Sequence, residues 1–400
     1  MENKKIENRK IDIEKAIKDS LFWVKEERLG KFFLAYFLVF LIIFCASLLI
    51  GSIAAFFFSF SVGAISFLFL IIWSVAGYFI FNFIKSDGEV LEFFKEYSKY
   101  FWIYVVLPGI LLIAVALVLI LIFAPEYIFD GILFDLARRI ARISGGILFD
   151  LARITAGIPT QIPILLVLVI PGIIISINAS YLSTFYLYSK VGKVFHKKSV
   201  FEKFNLANVL ELVKFSIVSF VTVLFNWVNK KILIIQVSII IAIVILATIF
   251  LLLKPFAQLS TLLIIFSVIL FLFYFVILIY NTLRFYPALL IRIFKNKSAT
   301  ESLKEAWELT RGNALHIFLS TVVVAIVDFA ITFVIGIIQL IIQLPFAILS
   351  VIYLPQLVRF IQTLLYPLDL LSSSISAFIM MFLQFSIYSQ LIRNFIKFPK

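Results

Sequence analysis

The apolar residues of this chain come in runs too long for a soluble core. No charged side chain occurs from Phe32 to Ile84, a stretch of 53 residues, and a helix that crosses a bilayer takes about 20. Residues 32–84 therefore predict two such helices with a turn near Ser59–Gly63. A third is predicted over 100–125 and a fourth within 154–189. The second half offers apolar runs at 213–228, 232–253, 256–286, 314–344 and 371–392. None alternates with the period of two that marks a strand, and open sheets cannot satisfy their edges in lipid. The predicted class is all-α, a polytopic transmembrane helix bundle.

The intervals between runs carry a second pattern. Lys85-Ser86-Asp-Gly-Glu89, Lys198-Ser199-Val-Phe-Glu202 and Lys297-Ser298-Ala-Thr-Glu301 share Lys-Ser-x-x-Glu. This is the signature of a capping box, in which the Ser hydroxyl accepts from a first-turn N–H and the Glu reaches back to the Ser N–H. Each box opens an amphipathic helix. After Ser298 the apolar side is Ala299, Leu303, Ala306, Trp307 and Thr310, and Gly312 is the stop signal. The N-terminal segment reads as a degenerate fourth copy, with Ile13, Ala16, Ile17, Leu21 and Val24 on one face. A shorter repeat, Gly131–Arg138 recurring as Gly146–Arg153, fits a helix lying flat in the membrane interface and fits a spacer equally well. Residues 355–370, with Arg359 and Asp369, read as the matching interfacial segment of the second half.

Charge sets the orientation. Residues 1–31, 85–100, 190–214, 292–313 and the C-terminus hold 9, 3, 6, 5 and 3 Lys/Arg, 26 of the 35, whereas 125–160 and 345–370 hold five. The lysine-rich side is cytoplasmic, so both termini and all the capping-box helices face the cytoplasm, and the expected location is the cell membrane. The first run is too long for a signal-peptide core and predicts a retained helix. That orientation needs an even number of crossings between 190–214 and 292–313, where hydropathy offers three runs. The 85–100 junction maps onto 297–312, a shift of 212, while 12–31 maps onto 193–212, a shift of 181. The difference of 31 marks an insertion within 213–253, which then makes one net crossing, part of it interfacial or re-entrant. The prediction is eight spans, as two same-orientation halves, 1–189 and 190–400; nine spans is the alternative.

Composition agrees. The chain is 63% hydrophobic and 14% charged, with mean hydropathy +1.14, against about half apolar and a quarter charged in soluble domains. A net charge of +13 does not imply nucleic acid, because the basic residues are confined between apolar runs. Cys45 is the sole cysteine and forms no intrachain disulfide.

The stretch Phe285-Tyr-Pro-Ala-Leu-Leu-Ile-Arg-Ile-Phe-Lys-Asn-Lys-Ser-Ala-Thr-Glu-Ser-Leu-Lys-Glu-Ala-Trp-Glu-Leu-Thr-Arg-Gly-Asn-Ala-Leu-His-Ile-Phe318 resembles the multi-pass superfamily typified by the membrane domain of glycerophosphodiester phosphodiesterases. The resemblance covers about 35 of the residues. It implies a helical membrane scaffold. The phosphodiesterase activity resides in a separate soluble domain of such proteins, so no catalytic residue carries over.

Within the runs, Asp328 is the residue that chemistry singles out. It lies at the middle of 314–344, where an ionised carboxylate costs at least about 2.5 kcal/mol. At 100° per residue, Thr321, Asp328, Thr332, Gly336, Gln339 and Gln343 share one side of the helix, and such a stripe faces protein or water. Two readings fit: a proton- or cation-coupled pathway, or hydrogen bonds that fix helix packing. Arg284 is expected to snorkel to phosphate. Tyr100, Trp102, Tyr104, Tyr186, Tyr188 and Trp227 read as an interfacial aromatic belt.

Lys193, Lys197, Lys198, Lys203, Arg292, Lys295 and Lys297 are candidate contacts for anionic headgroups, at about 1 kcal/mol each. His196 and His316 have no ligand partners at metal-binding spacing, and neither a metal nor a cofactor is expected. Paired catalytic carboxylates, HExxH spacing and an activated nucleophile are missing, so an enzyme is not expected. The reading is a membrane scaffold or lipid-associated protein, with lipids as partners; the alternative is a secondary transporter with Asp328 in its pathway.

Overall fold

The computed structural model describes residues 10–58, 60–107, 109, 181–195, 206–252, 257–352 and 361–392. Outside these residues lie the repeat 131–153, most of the third and fourth predicted spans, the box at Ser199 and Glu202, and Lys197, Lys198 and Lys203. Every regular element among the described residues is helical. Seven helices among the described residues are long and apolar enough to cross a membrane. The protein is an all-α polytopic helical bundle.

By its contacts the chain divides into two compact units. One comprises Phe22–Leu187 and Ile326–Ile379. The other comprises Met1–Leu21, Tyr188–Ala325 and Met380–Lys400.

In the first unit, a short α2 (Phe22–Lys25) leads into α3 (Glu27–Phe58), followed by α4 (Phe60–Ile84) and α5 (Gly88–Phe101). α3 ends at Phe58 and α4 starts at Phe60, at the beginning of the expected turn region. α3 and α4 run antiparallel. Arg28, near the start of α3, lies 3.4 Å from Asp87 just beyond α4 and pairs with Glu89.

The core of this unit is aromatic. Phe32 meets Phe93 edge-on at 5.3 Å, Phe93 stacks on Tyr186 at 5.8 Å, and Trp23 and Phe33 flank Phe378. The Tyr186 hydroxyl donates to Glu96. Tyr186 is fully buried and anchors this core, so it does not belong to the belt that the sequence suggested. It closes a π-helical turn, Tyr181–Tyr186; a second such turn, Trp102–Val106, follows α5.

The second unit opens with α1 (Ile13–Ser20), capped by Asp12, whose carboxylate accepts from the Lys15 N–H at 3.1 Å. The helix breaks at Leu21, and this moves Val24 off the predicted apolar face; Val24 is 65% exposed. The segment is tied down by Ile11 N–H to Asn313 Oδ1 at 3.2 Å and by the Ser386 hydroxyl to Asp19 at 2.7 Å. Burial pushes the Asp19 carboxyl up, against the opposing pull of the Ser386 hydrogen bond.

The remaining elements of this unit are α6 (Leu187–Phe195), α7 (Leu206–Leu224), α8 (Lys230–Leu252), α9 (Ala257–Phe285), α10 (Ala288–Lys295) and α11 (Ala299–Leu309). α6 packs so closely on α10 that the Phe294 ring sits on Gly192. A Cβ there would fall 2.2 Å from Phe294 Cζ.

α8 and α9 form an antiparallel pair. α7, although long and apolar enough to span, is held at both ends near the C-terminal end of α9. At its beginning, Glu211 pairs with Arg292 on α10 at 2.9 Å. At its end, Asn281 Nδ2 donates to the Val223 carbonyl at 2.9 Å, and α11 packs along it.

The turn 225–229 is built from amides. Asn226 Nδ2 donates to Asn281 Oδ1 at 2.8 Å, the Asn226 N–H to Gln236 Oε1 at 2.9 Å, and Gln236 Nε2 to the Val223 carbonyl at 3.2 Å. Asn226, Gln236 and Asn281 are all fully buried. Buried amides survive only when paired in this way.

α12 (Ala314–Ile352) and α13 (Tyr366–Leu391) contribute to both units. α12 runs eight residues beyond the predicted 344, through Pro345. α13 begins at Tyr366, so Asp369 lies in the first turn of a spanning helix instead of a separate interfacial segment. Pro367 sits in that first turn, where a missing N–H costs nothing.

Candidate functional site

Two places collect the polar chemistry among the described residues. The first is the seam between α12 and α13 within the first unit. Ser376 donates to Asp328 Oδ1 at 2.7 Å, Ser372 to Thr332 Oγ1 at 3.2 Å, and Gln339 Nε2 to Asp369 Oδ1 at 2.8 Å. Partner numbers fall along α13 as they rise along α12, so the helices run antiparallel and the stripe is met by a matching row. Asp328, Thr332 and Gln339 each meet a polar partner on α13. Thr321 does not join them; its hydroxyl bonds back to the Ile317 carbonyl at 2.8 Å. Gln343 has no partner in this row.

The second is the α10–α11 corner. Here the local sequence does what its pattern says. The Ser298 hydroxyl accepts from the Glu301 N–H at 3.3 Å, and Glu301 accepts from the Ser298 N–H at 3.0 Å, completing the box. These bonds hold the Glu301 carboxyl below its ordinary range. Ala299, Leu303 and Ala306 are buried. The helix stops through a Thr310 cap, and Gly312 takes φ 80°, a left-handed conformation that favours glycine.

The box predicted at Ser86 and Glu89 does not form. Asp87 caps α5 instead, accepting from the N–H groups of Glu89 and Val90 at 3.1 and 3.2 Å. A carboxylate beside the first turn is a stronger acceptor than a hydroxyl one residue earlier. Ser86 turns back to the Phe83 carbonyl at 2.9 Å, and Glu89 is taken by Arg28.

Three basic residues of the corner pair with carboxylates of the fold. Arg292 is 7% exposed and donates to the Lys297 carbonyl at 2.5 Å and to Glu211. Lys295 and Lys297 converge on Glu305 at 2.5 and 2.6 Å. Partial burial pushes the Glu305 carboxyl up, but the hydrogen bonds and charges of the two lysines outweigh it, and the net shift is down. These three cations pair with carboxylates of the fold, and Lys295 and Lys297 remain partly exposed. Lys193 is exposed on α6.

Arg284 also departs from expectation. It is 5% exposed, donates to Thr310 Oγ1 at 2.9 Å, to the Tyr280 hydroxyl at 2.8 Å and to the Trp307 carbonyl, and lies 4.0 Å from the Trp307 ring centroid. The C-terminal end of α11 and the ring supply the negative potential that the guanidinium needs. No carboxylate at this corner pairs with it among the described residues. Trp227 is likewise held internally, donating to Thr222 under the Lys304 ammonium.

No group of three or more His, Cys, Asp and Glu able to hold a metal occurs among the described residues. Long apolar helices, capped junction helices and a polar seam inside a spanning pair define a multi-pass membrane protein. No family model, curated protein or solved structure matches the chain.

Proposed function

We propose that this protein is a membrane scaffold or lipid-associated protein of the cell membrane, with both termini cytoplasmic. The observation that carries this reading is the exposure of its spans. In the most apolar stretch of α9, 0% of residues are buried, against 6% in α12 and 11% in α8. Helices so little covered by protein take their contacts from lipid or from other membrane helices. The resemblance of residues 285–318 to a scaffold domain supports the same reading.

In this reading α7, α10 and α11 form a layer at the cytoplasmic surface, and residues 206–252 make one net crossing, through α8. The shared anchoring of both ends of α7 near the end of α9 supports this. In this reading Lys193, Lys197, Lys198 and Lys203 meet anionic headgroups.

The test is lipid retention on purified protein, read by mass spectrometry of co-purifying lipid. Replacing those four lysines by glutamine lowers the retained anionic lipid, by about 1 kcal/mol per residue in binding, and leaves solute flux in proteoliposomes unchanged at background. Unaltered lipid retention removes the motive for the scaffold reading. Solute flux that Asp328→Asn abolishes replaces it with the transporter.

A further inference from the structure

α7 has two unlike faces. Val209, Leu212, Phe215 and Thr222 are buried. Leu210, Ile217, Phe220 and Val221 are 44–65% exposed and, at 100° per residue, share about 100° of arc on the opposite side. A helix crossing lipid could show such a stripe, but the anchors of α7 all lie at or beyond the last turns of α9. Glu211 pairs with Arg292, Asn281 holds the Val223 carbonyl, and Trp227 lies beneath Lys304. From Glu211 to Val223 the helix rises about 18 Å, against about 30 Å of hydrocarbon. The apolar stripe therefore sits at the membrane boundary where α9 ends.

The turn that follows adds charge to this boundary. Lys230, Lys231 and Lys304 are exposed, and the Lys304 ammonium stands 5.6 Å from the Trp227 ring centroid. None of the three forms an ion pair among the described residues, unlike Arg292, Lys295 and Lys297. Of the acids flanking Lys304 on α11, Glu301 is held by its capping box, and Glu308 offsets one of the three charges. The turn is rigid, because Asn226, Gln236 and Asn281 are hydrogen-bonded beneath it, so these cations stay grouped without help from a ligand.

We propose that α7 and the α7–α8 turn are a docking surface for anionic phospholipid. The stripe from Leu210 to Val221 meets acyl chains, while Lys230, Lys231 and Lys304 meet headgroup phosphates beside Trp227. The inference rests on the lipid-associated reading above and adds a surface to it. A second copy docked by the same face would bring its own lysines against these, whereas an anionic leaflet complements them.

The test uses the full-length protein in nanodiscs of phosphatidylcholine containing phosphatidylglycerol, with retained lipid counted by native mass spectrometry. Replacing Lys230, Lys231 and Lys304 by glutamine weakens phosphatidylglycerol retention about fivefold per lysine and leaves phosphatidylcholine retention unchanged. A second readout is a fluorophore on Ile217→Cys in a Cys45→Ala background. Lipid brominated on its acyl chains quenches it, and aqueous iodide does not. Quenching by iodide places the stripe in water, and quenching by neither places it under protein; each overturns the inference. Phosphatidylglycerol retention that falls on replacing Lys193, Lys197, Lys198 and Lys203 but not Lys230, Lys231 and Lys304 also overturns it, while leaving the lipid-associated reading intact. Retention indifferent to both sets removes the two together.

Discussion

Replacing Asn281 by leucine tests how the turn between α7 and α8 is held. Asn281 is fully buried, accepts from Asn226 Nδ2 at 2.8 Å and donates to the Val223 carbonyl at 2.9 Å. The leucine variant keeps volume and loses both bonds. Val223 retains a donor in Gln236 at 3.2 Å, so its carbonyl is not orphaned. The Asn226 side-chain N–H is. An unsatisfied buried donor costs about 1–3 kcal/mol, while hydrogen bonds between membrane helices average nearer 0.6 kcal/mol. Some of the loss is recovered by the apolar side chain, so the expected net cost is about 1–2 kcal/mol.

The assay is thermal unfolding of purified protein in detergent micelles, followed by tryptophan fluorescence, for Asn281→Leu, Asn226→Ala and the double variant. Because the two residues share a bond, the second substitution costs less in the background of the first, by about 0.5–1 kcal/mol. Strictly additive effects, or a leucine variant that melts with wild type, refute the claim that this amide network fixes the turn.

Three further outcomes follow from the geometry. Ser298→Ala lowers stability by about 1 kcal/mol through loss of the α11 cap, Asp87→Ala does the same at α5, and Ser86→Ala is near neutral; melting temperatures that rank Ser86 with Ser298 contradict the capping assignment. Gly192→Ala forces the Phe294 ring to move and costs about 1–3 kcal/mol, and Phe294→Leu in the same chain restores part of the loss; an alanine variant as stable as wild type shows that the approach is looser than the structure has it. Glu305→Gln lowers stability at neutral pH by no more than about 1 kcal/mol, because the lysines are partly exposed. The folded carboxyl titrates below its ordinary value, so this contribution is present above the unfolded value and fades as pH falls through the folded one. Wild type and variant therefore converge in acid, and a gap that persists there refutes the pairing.

The spans among the described residues were legible because a long apolar run has one reading at this length, and the box at Ser298 because its two partners lie within one turn. The polar stripe of α12 was legible from angle alone. Its partners Ser372, Ser376 and Asp369 were not, since the register between antiparallel helices is set by packing and leaves no local pattern. At Ser86 two capping residues stand side by side, and the motif picked the weaker acceptor. The paired lysines were missed for a related reason: Lys295 and Lys297 meet Glu305 only once α10 folds back on α11. Arg284 read as a snorkelling cation because its three acceptors, Tyr280, Trp307 and Thr310, converge only in three dimensions.

In the proposed arrangement the membrane bundle keeps α7 on the cytoplasmic surface. Single cysteines placed at Ser86, Lys231, Thr300 and position 360, after Cys45→Ala, measure it through an impermeant maleimide applied to sealed vesicles of known orientation. In that arrangement 86, 231 and 300 react from one face and 360 from the other. Labelling of 231 from the face opposite to 300 would make α7 a full crossing and contradict it.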